Sequence, residues 1–339
     1  MLSAPRRTRV RRATCKPQSA PNKSLQIRHV LVPVDFSAPS LEAIEFALPL
    51  LKQFGADLHI VHVVIPEYTP IAMMPLPLMV LESEPDRHAR QHLRAVAAKA
   101  GLELGTKNLH VIKGRPFEEI CELARETGID LIVIATRGNT GVQHLMLGST
   151  AERVVRHSPC PVLVVRGGVE RNGHRNGDAH RVGFGRIVVP IDFSSCSMRG
   201  LDYARALAER FGSTLTLVHS VHLDYYVASE EYARYDFPLL LRQAETAARD
   251  QMRALVRETN WGDIKIETVL EAGHPGEEIC ARAKDHRADL IVTSTHGRTG
   301  LRHVFMGSTA EYVVRHAHCP VLVIPSRPRI AINSTRMKP

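Results

Sequence analysis

The residues of this chain whose types and spacing could do chemistry fall into two short polar constellations, each present twice. The first is Asp35-Phe36-Ser37, which recurs as Asp192-Phe193-Ser194. The second is Gly138-x9-Gly148-Ser149-Thr150, which recurs as Gly297-x9-Gly307-Ser308-Thr309, with Gly141 and Gly300 inside the loops. Glycine lets a backbone take positive φ and approach a ligand closely. Successive N–H groups in such turns form an anion nest. A helix starting at Ser149 or Ser308 offers its positive end to the same anion. A triphosphate suits that arrangement, and Arg137 or Arg298 on the loop would add charge-assisted bonds. A plainer role also fits. Ser149-Thr150-Ala151-Glu152 and Ser308-Thr309-Ala310-Glu311 have capping-box spacing, so the serines could simply cap a helix and the glycines simply turn the chain.

Other chemistries find less support. No GxxxxGKS or GxxxxGKT segment is present, and no GxGxxG opens a helix after the first strand. His157-x2-Cys160 and His316-Ala317-His318-Cys319 do not supply the four or so converging ligands that zinc needs, so no metal site is expected. No Ser-His-Asp arrangement or paired carboxylates can be placed, so no catalytic residue is assigned.

These constellations need a scaffold, and a repeat supplies it. Residues 135–165 and 294–324 are identical at 19 of 31 positions with an offset of 159. GRPFEEIC (114–121) matches GHPGEEIC (273–280) at the same offset, and HVLVPVDFS (29–37) matches RIVVPIDFS (186–194) at an offset of 157. Such a period means a duplicated domain. Apolar runs at 29–34, 57–65, 109–112, 130–136 and 161–166 read as strands covered on both faces. Helical patterns lie between them, at 38–54, 86–100, 116–127 and 149–157. The second copy has strands near 186–191, 214–221, 264–270, 289–294 and 320–324.

The expected fold is α/β: two tandem doubly wound domains, each a five-stranded parallel sheet in the order 3-2-1-4-5 with helices on both faces. The expected division is a disordered basic tail over 1–26, domains over 27–166 and 185–326, a linker over 167–184 and a C-terminal tail over 327–339. In such sheets ligands bind at the carboxyl ends of the strands where the strand order reverses, which is where both constellations fall. The long segments 65–85 and 222–240 could cover that site, form an interface or pack over the sheet edge.

The net charge of +9 is local: residues 1–28 carry eight Lys and Arg and no acid, leaving about +1 for the remainder. The body therefore offers no basic stripe for specific nucleic-acid binding. The tail fits a solvated extension, a weak polyanion binder or an organelle transit peptide, and it lacks the apolar core of a secretory signal. The longest uncharged apolar stretch, Ile71–Leu81, is too short to span a bilayer. Six cysteines without a CxxC pair fit a reducing compartment, so a cytoplasmic location is expected.

The combination of PVDFS, GRPFEEIC and ATRGNTGVQHLMLGSTAERVVRHSPCPVLVV resembles the universal stress protein family, in a tandem two-domain arrangement. The resemblance covers nearly all of 27–166 and 185–325. The nucleotide motif of that family, G-x2-G-x9-G followed by Ser or Thr, falls on Ala135, Gly138, Gly148 and Ser149, and on Ser294, Gly297, Gly307 and Ser308. The first glycine is thus Ala135 in one copy and Ser294 in the other. The resemblance implies that Asp35 and Asp192 lie beside the adenosine, with backbone from Pro33-Val34 and Pro190-Ile191. It places the adenine near the end of strand two, at His62-Val63 and Ser220-Val221. It implies an ATP-binding stress-response regulatory protein, non-catalytic or with only slow hydrolysis, with Asp35 able to position a metal such as Mg2+ or a water. It also implies pairing of the two domains through strand five, with homodimer formation open to two such chains. The alternatives are an ATP-hydrolysing or adenylating enzyme of the nucleotide alpha-hydrolase type, and a nucleotide-free scaffold.

Overall fold

The computed structural model describes residues 25–66, 84–102, 105–136, 147–166, 183–222, 237–297 and 306–326. The first repeat runs β1 (His29–Pro33), α1 (Ala38–Phe54), β2 (Asp57–Val64), α2 (Glu84–Lys99), β3 (Leu109–Lys113), α3 (Pro116–Glu126), β4 (Leu131–Ala135), α4 (Ser149–His157) and β5 (Val162–Val165). The second runs β6 (Arg186–Pro190), α5 (Ser195–Phe211), β7 (Thr214–Val221), α6 (Phe237–Glu258), β8 (Ile266–Ala272), α7 (Pro275–Asp285), β9 (Leu290–Ser294), α8 (Ser308–His316) and β10 (Val321–Ile324). The strands join one ten-stranded sheet in the order β3-β2-β1-β4-β5-β10-β9-β6-β7-β8. Neighbours are parallel within each repeat. At the seam β5 and β10 are antiparallel, with Leu163 opposite Leu322.

Local signals set the elements. α1 starts where the Ser37 hydroxyl accepts the Ser40 N–H, and it ends at Gly55, whose φ of 65° suits only a residue without a Cβ penalty. α5 repeats this with Ser194 and Gly212 at φ 67°. The strands are apolar on both faces because both faces are covered. One face carries a core that includes Leu50 of α1, Leu93 of α2, Leu207 of α5 and Met252 of α6. The other carries Ile120 of α3, Val154 of α4, Ile279 of α7 and Val313 of α8. Each core runs unbroken from one repeat into the other.

Repeat-equivalent residues meet across the seam. On the α1/α5 face, Gln53 Nε2 donates to Arg210 O at 3.1 Å, and Arg210 Nε donates to Gln53 O at 3.2 Å. On the α4/α8 face, Arg156 lies 2.7 Å from Glu152 and 3.6 Å from Glu311, while Arg315 lies 2.8 Å from Glu311 and 3.2 Å from Glu152. The four charges form a partly buried ring, in which each residue faces opposite charge on its own helix and on the other.

Several boundaries differ from expectation. β8 lies two residues later than the run at 264–270. The segments 65–85 and 222–240 are shorter as connections, because α2 already starts at Glu84 and α6 at Phe237. Pro85 and Pro238 occupy the second helical position, where a missing N–H costs nothing, so they mark starts rather than loops. Residues 67–83 and 223–236, the tail up to residue 24, the linker over 167–182 and the C-terminal tail over 327–339 lie outside the described residues.

The repeats have also diverged in step. In the first, Phe117 on α3 packs under Arg153 of α4, 5.1 Å from its ring centre. In the second, Gly276 replaces the phenylalanine and Tyr312 replaces the arginine. A Cβ on Gly276 would lie 2.7 Å from the Tyr312 ring, so the tyrosine fills the space the missing side chain leaves. Gly276→Ala is expected to cost about 1–3 kcal/mol by overpacking. Tyr312→Arg in the same chain should recover most of it. Thermal denaturation of the four combinations tests this, and additive losses would refute the coupling.

A row of histidines crosses the edge of the first repeat. His59 Nε2 lies 3.4 Å from His29 Nδ1, and His59 Nδ1 lies 3.2 Å from His110 Nε2. Burial first, and then His29, lower the pKa of His59, while burial and then His59 lower that of His110. The unfolded chain therefore binds more protons at these sites, so their stabilisation is present above about pH 6.5 and is lost as the pH falls. Melting temperature should fall from pH 7 to pH 5, and His110→Gln should reduce that fall. An unchanged pH slope would contradict this.

Candidate functional site

β1 lies between β2 and β4, and β6 lies between β7 and β9, so in each repeat the strand order reverses at the first strand. A crevice opens there beyond the carboxyl ends. Val34 N donates to Val61 O, and Ile191 N donates to Val218 O, which extends the ladder to its last residue. The chain then turns sharply. Phe36 has φ 63° and Phe193 has φ 61°, a left-handed conformation that costs a bulky residue roughly 1–2 kcal/mol. Side-chain bonds hold the turn. Asp35 Oδ1 accepts the Ser37 N–H at 3.0 Å and the Ser37 hydroxyl at 2.5 Å. Asp192 Oδ1 accepts the Ser194 N–H at 2.9 Å. The Phe36 ring packs on His62 at 4.5 Å between centres, and Phe193 packs on His219 at 4.9 Å. Each imidazole Nδ1 donates to the strand end, His62 to Val34 O at 2.8 Å and His219 to Ile191 O at 2.6 Å.

The opposite wall comes from β4 and β9. Thr136 N donates to Val165 O, and Thr136 O accepts the Gly148 N–H at 2.7 Å, pinching the two ends of the glycine loop together. Thr295 and Gly307 make the same bond at 2.8 Å. Gly297 lies against the first wall: a Cβ there would sit 2.6 Å from Asp192 Oδ2. The loop after strand four and the aspartate after strand one are thus in direct contact in the second repeat.

Capping-box geometry is absent. Gly148 and Gly307, not Ser149 and Ser308, are the N-cap residues, with ψ near 143° and 147°, and no side chain caps either helix. The bond from Gly148 N back to Thr136 O holds that residue extended and moves Ser149 to the first helical position. The Glu152 carboxylate instead faces Arg156 and Arg315. Ser149 and Ser308 are exposed, and Thr150 and Thr309 are half-buried beside them. Among the described residues no side chain caps the first-turn N–H groups of α4 and α8, and a serine and a threonine occupy the first two helical positions of each.

The other expected residues divide as follows. Pro33, Val34, Pro190 and Ile191 line the strand ends, but the Val34 and Ile191 side chains are buried in the core, so only backbone faces the crevice. The Ala135 side chain is likewise buried in the core on the α1/α5 face, while the Ser294 hydroxyl donates to His296 O at 2.8 Å. Val63 and Val221 are not equivalent. The offset of 157 persists through the second strand, pairing Val63 with Ser220 and Val64 with Val221, and Val63 packs toward the α3/α4 face. Arg137, Gly138, Gly141, Arg298 and Gly300 lie outside the described residues. His219 was the position missed, although the same constant offset leads to it from His62. In the second repeat alone, His296 Nδ1 lies 2.6 Å from Ser326 Oγ and 2.9 Å from Thr295 Oγ1.

Neither histidine–cysteine group converges. His157 Nδ1 donates to Arg153 O and His316 Nδ1 to Tyr312 O, while burial pushes the Cys160 and Cys319 thiols up to about 12. Among the described residues, no three His, Cys, Asp or Glu side chains are arranged to hold a metal ion. No helix among them is long and apolar enough to cross a membrane.

The family model for universal stress proteins matches residues 26–166 and again 183–325. A universal stress protein of Mycobacterium tuberculosis is 24% identical over 309 residues, which cover 90% of this chain and 98% of that relative. One from Methanocaldococcus jannaschii is 33% identical over 144 residues, 41% of this chain and 82% of that relative. The crystal structure of a universal stress protein from Archaeoglobus fulgidus shares the fold, with a TM-score of 0.57 and 23% identity over 89% of this chain and all of that one. With two family matches in series on a duplicated sheet, this chain belongs to the universal stress protein family as a tandem member.

Proposed function

We propose that each repeat binds one ATP, and that the protein is a nucleotide-responsive regulator rather than an efficient enzyme. The observation that carries this reading is the pair of helix starts at Gly148-Ser149 and Gly307-Ser308. Among the described residues their first-turn N–H groups are capped by no side chain, and they lie on the side of the strand-order reversal. Such a start is a site for phosphate. The nucleoside end falls to Asp35 or Asp192, each held by the serine that follows it, and to backbone of Pro33-Val34 or Pro190-Ile191. The buried Ala135 side chain supports the reading, since an alanine that points into the core does not occupy the crevice. Mg2+ would accompany the phosphates, with Asp35 and Asp192 as candidate carboxylates to position it. No general base is assigned among the described residues, and slow hydrolysis at most is part of the proposal.

Pairing of the repeats through β5 and β10 is the proposed resting arrangement. It is supported by reciprocal bonds between Gln53 and Arg210 and by the ring of charges on α4 and α8. ATP would act by binding one conformation or assembly better than another, with two chains forming a homodimer in the cytoplasm. The stress-response role follows from the family.

Denaturing the purified protein and quantifying the released nucleotide tests the reading. Two equivalents of intact ATP are expected. Gly297→Val should leave one, because the added side chain would collide with the Asp192 carboxylate and close the second crevice. Asp35→Ala with Asp192→Ala should weaken ATP binding by tenfold or more, as expected for loss of a hydrogen bond to a charged group. A wild-type protein that releases no nucleotide and shows no thermal shift with Mg-ATP would be a scaffold, and the proposal would fail.

A further inference from the structure

Away from both crevices, a cavity of about 720 Å3 lies on the seam. Its apolar wall is made of leucines in repeat-related pairs: Leu50 with Leu207, Leu131 with Leu290, and Leu163 with Leu322. Leu163 and Leu322 are also the cross-strand partners at the centre of the antiparallel pair. The chamber therefore straddles the pseudo-twofold axis between α1 and α5, and neither repeat could form it alone. Its size is in the range of small-molecule pockets, which favour domain boundaries.

The leucine pairs are symmetric, but the rest of the lining is not, most of it coming from the first repeat. Asp130 and Tyr203 line it, along with Gln26, Arg28, His29 and Thr127, whereas Asp289 and Phe46, the repeat equivalents of Asp130 and Tyr203, do not. Asp130 Oδ2 accepts the N–H groups of Arg28 and His29 at 2.7 and 3.1 Å, which fixes the carboxylate at the cavity edge. The Tyr203 phenol is kept protonated: burial pushes its pKa up, and Cys160 and Asp130 add to the effect. A carboxylate acceptor and a phenol donor on the wall of a leucine-lined chamber suit a group that both donates and accepts. A hydroxyl does both, with no charge to desolvate.

We infer that the seam is a second ligand site, for a compact apolar molecule bearing one hydroxyl head, such as an alkylphenol. The ligand would touch both repeats at once and so bind only the paired arrangement, which it would stabilise by mass action. The inference does not depend on nucleotide binding, because the cavity shares no residue with either crevice.

Titration of the full chain with 4-butylphenol, followed by calorimetry and thermal shift, tests it. Saturable binding of one equivalent is expected, with a rise in melting temperature. Butylbenzene should bind more weakly. Tyr203→Phe copies the residue that the first repeat carries at Phe46, so the fold should tolerate it. It should weaken 4-butylphenol about tenfold, the scale of one hydrogen bond, and leave butylbenzene unchanged. Leu163→Phe should fill the chamber and abolish both. If that variant does not fold, the Tyr203→Phe comparison decides alone. Absence of saturable binding by wild type, or equal affinity of Tyr203→Phe for 4-butylphenol, would overturn the inference.

Discussion

The antiparallel pairing of β5 with β10 is the constraint on which the rest of the molecule depends. A five-stranded parallel sheet of this order ends on β5, whose edge N–H and C=O groups need partners. Residues 162–164 and 321–323 supply them to each other. Once that ladder forms, the two cores merge, the leucines at its centre are buried, and α4 and α8 are brought close enough for their charges to interlock. A single Leu163 or Leu322 side chain buried there contributes about 1.5–3 kcal/mol by area alone. The ionic ring adds direction more than strength, since partly exposed pairs are worth little individually.

Much of the fold was legible from hydrophobic pattern. Strands buried on both faces give continuous apolar runs. Pro85 and Pro238 misled because proline breaks a helix interior but suits its first turn. What pattern does not encode is the chemistry of the seam. Gln53 and Arg210 are ordinary surface residues until the repeats are placed end to end, and no periodicity marks them as partners.

The site was legible in part, for the same physical reasons. Asp-Phe-Ser and the glycine loop stand out because turns and close approaches restrict residue type. Their local roles needed coordinates. One backbone bond, from Gly148 to Thr136, moves the N-cap back by a residue and turns an apparent capping serine outward. Val221 was mispaired with Val63 because two extra residues enter the second copy after this strand, not before it. Keeping the offset of 157 to the end of β7 would have identified His219, whose ring props the strained phenylalanine turn.

The antiparallel seam also reverses one repeat end for end. The carboxyl ends of β1 and β4 point one way along the sheet, and those of β6 and β9 point the other way. The two crevices therefore open at opposite rims of the molecule. A rigid surface laid along one rim therefore reaches one crevice only. In the proposed nucleotide-binding role, the two sites would be approached from opposite sides of the sheet.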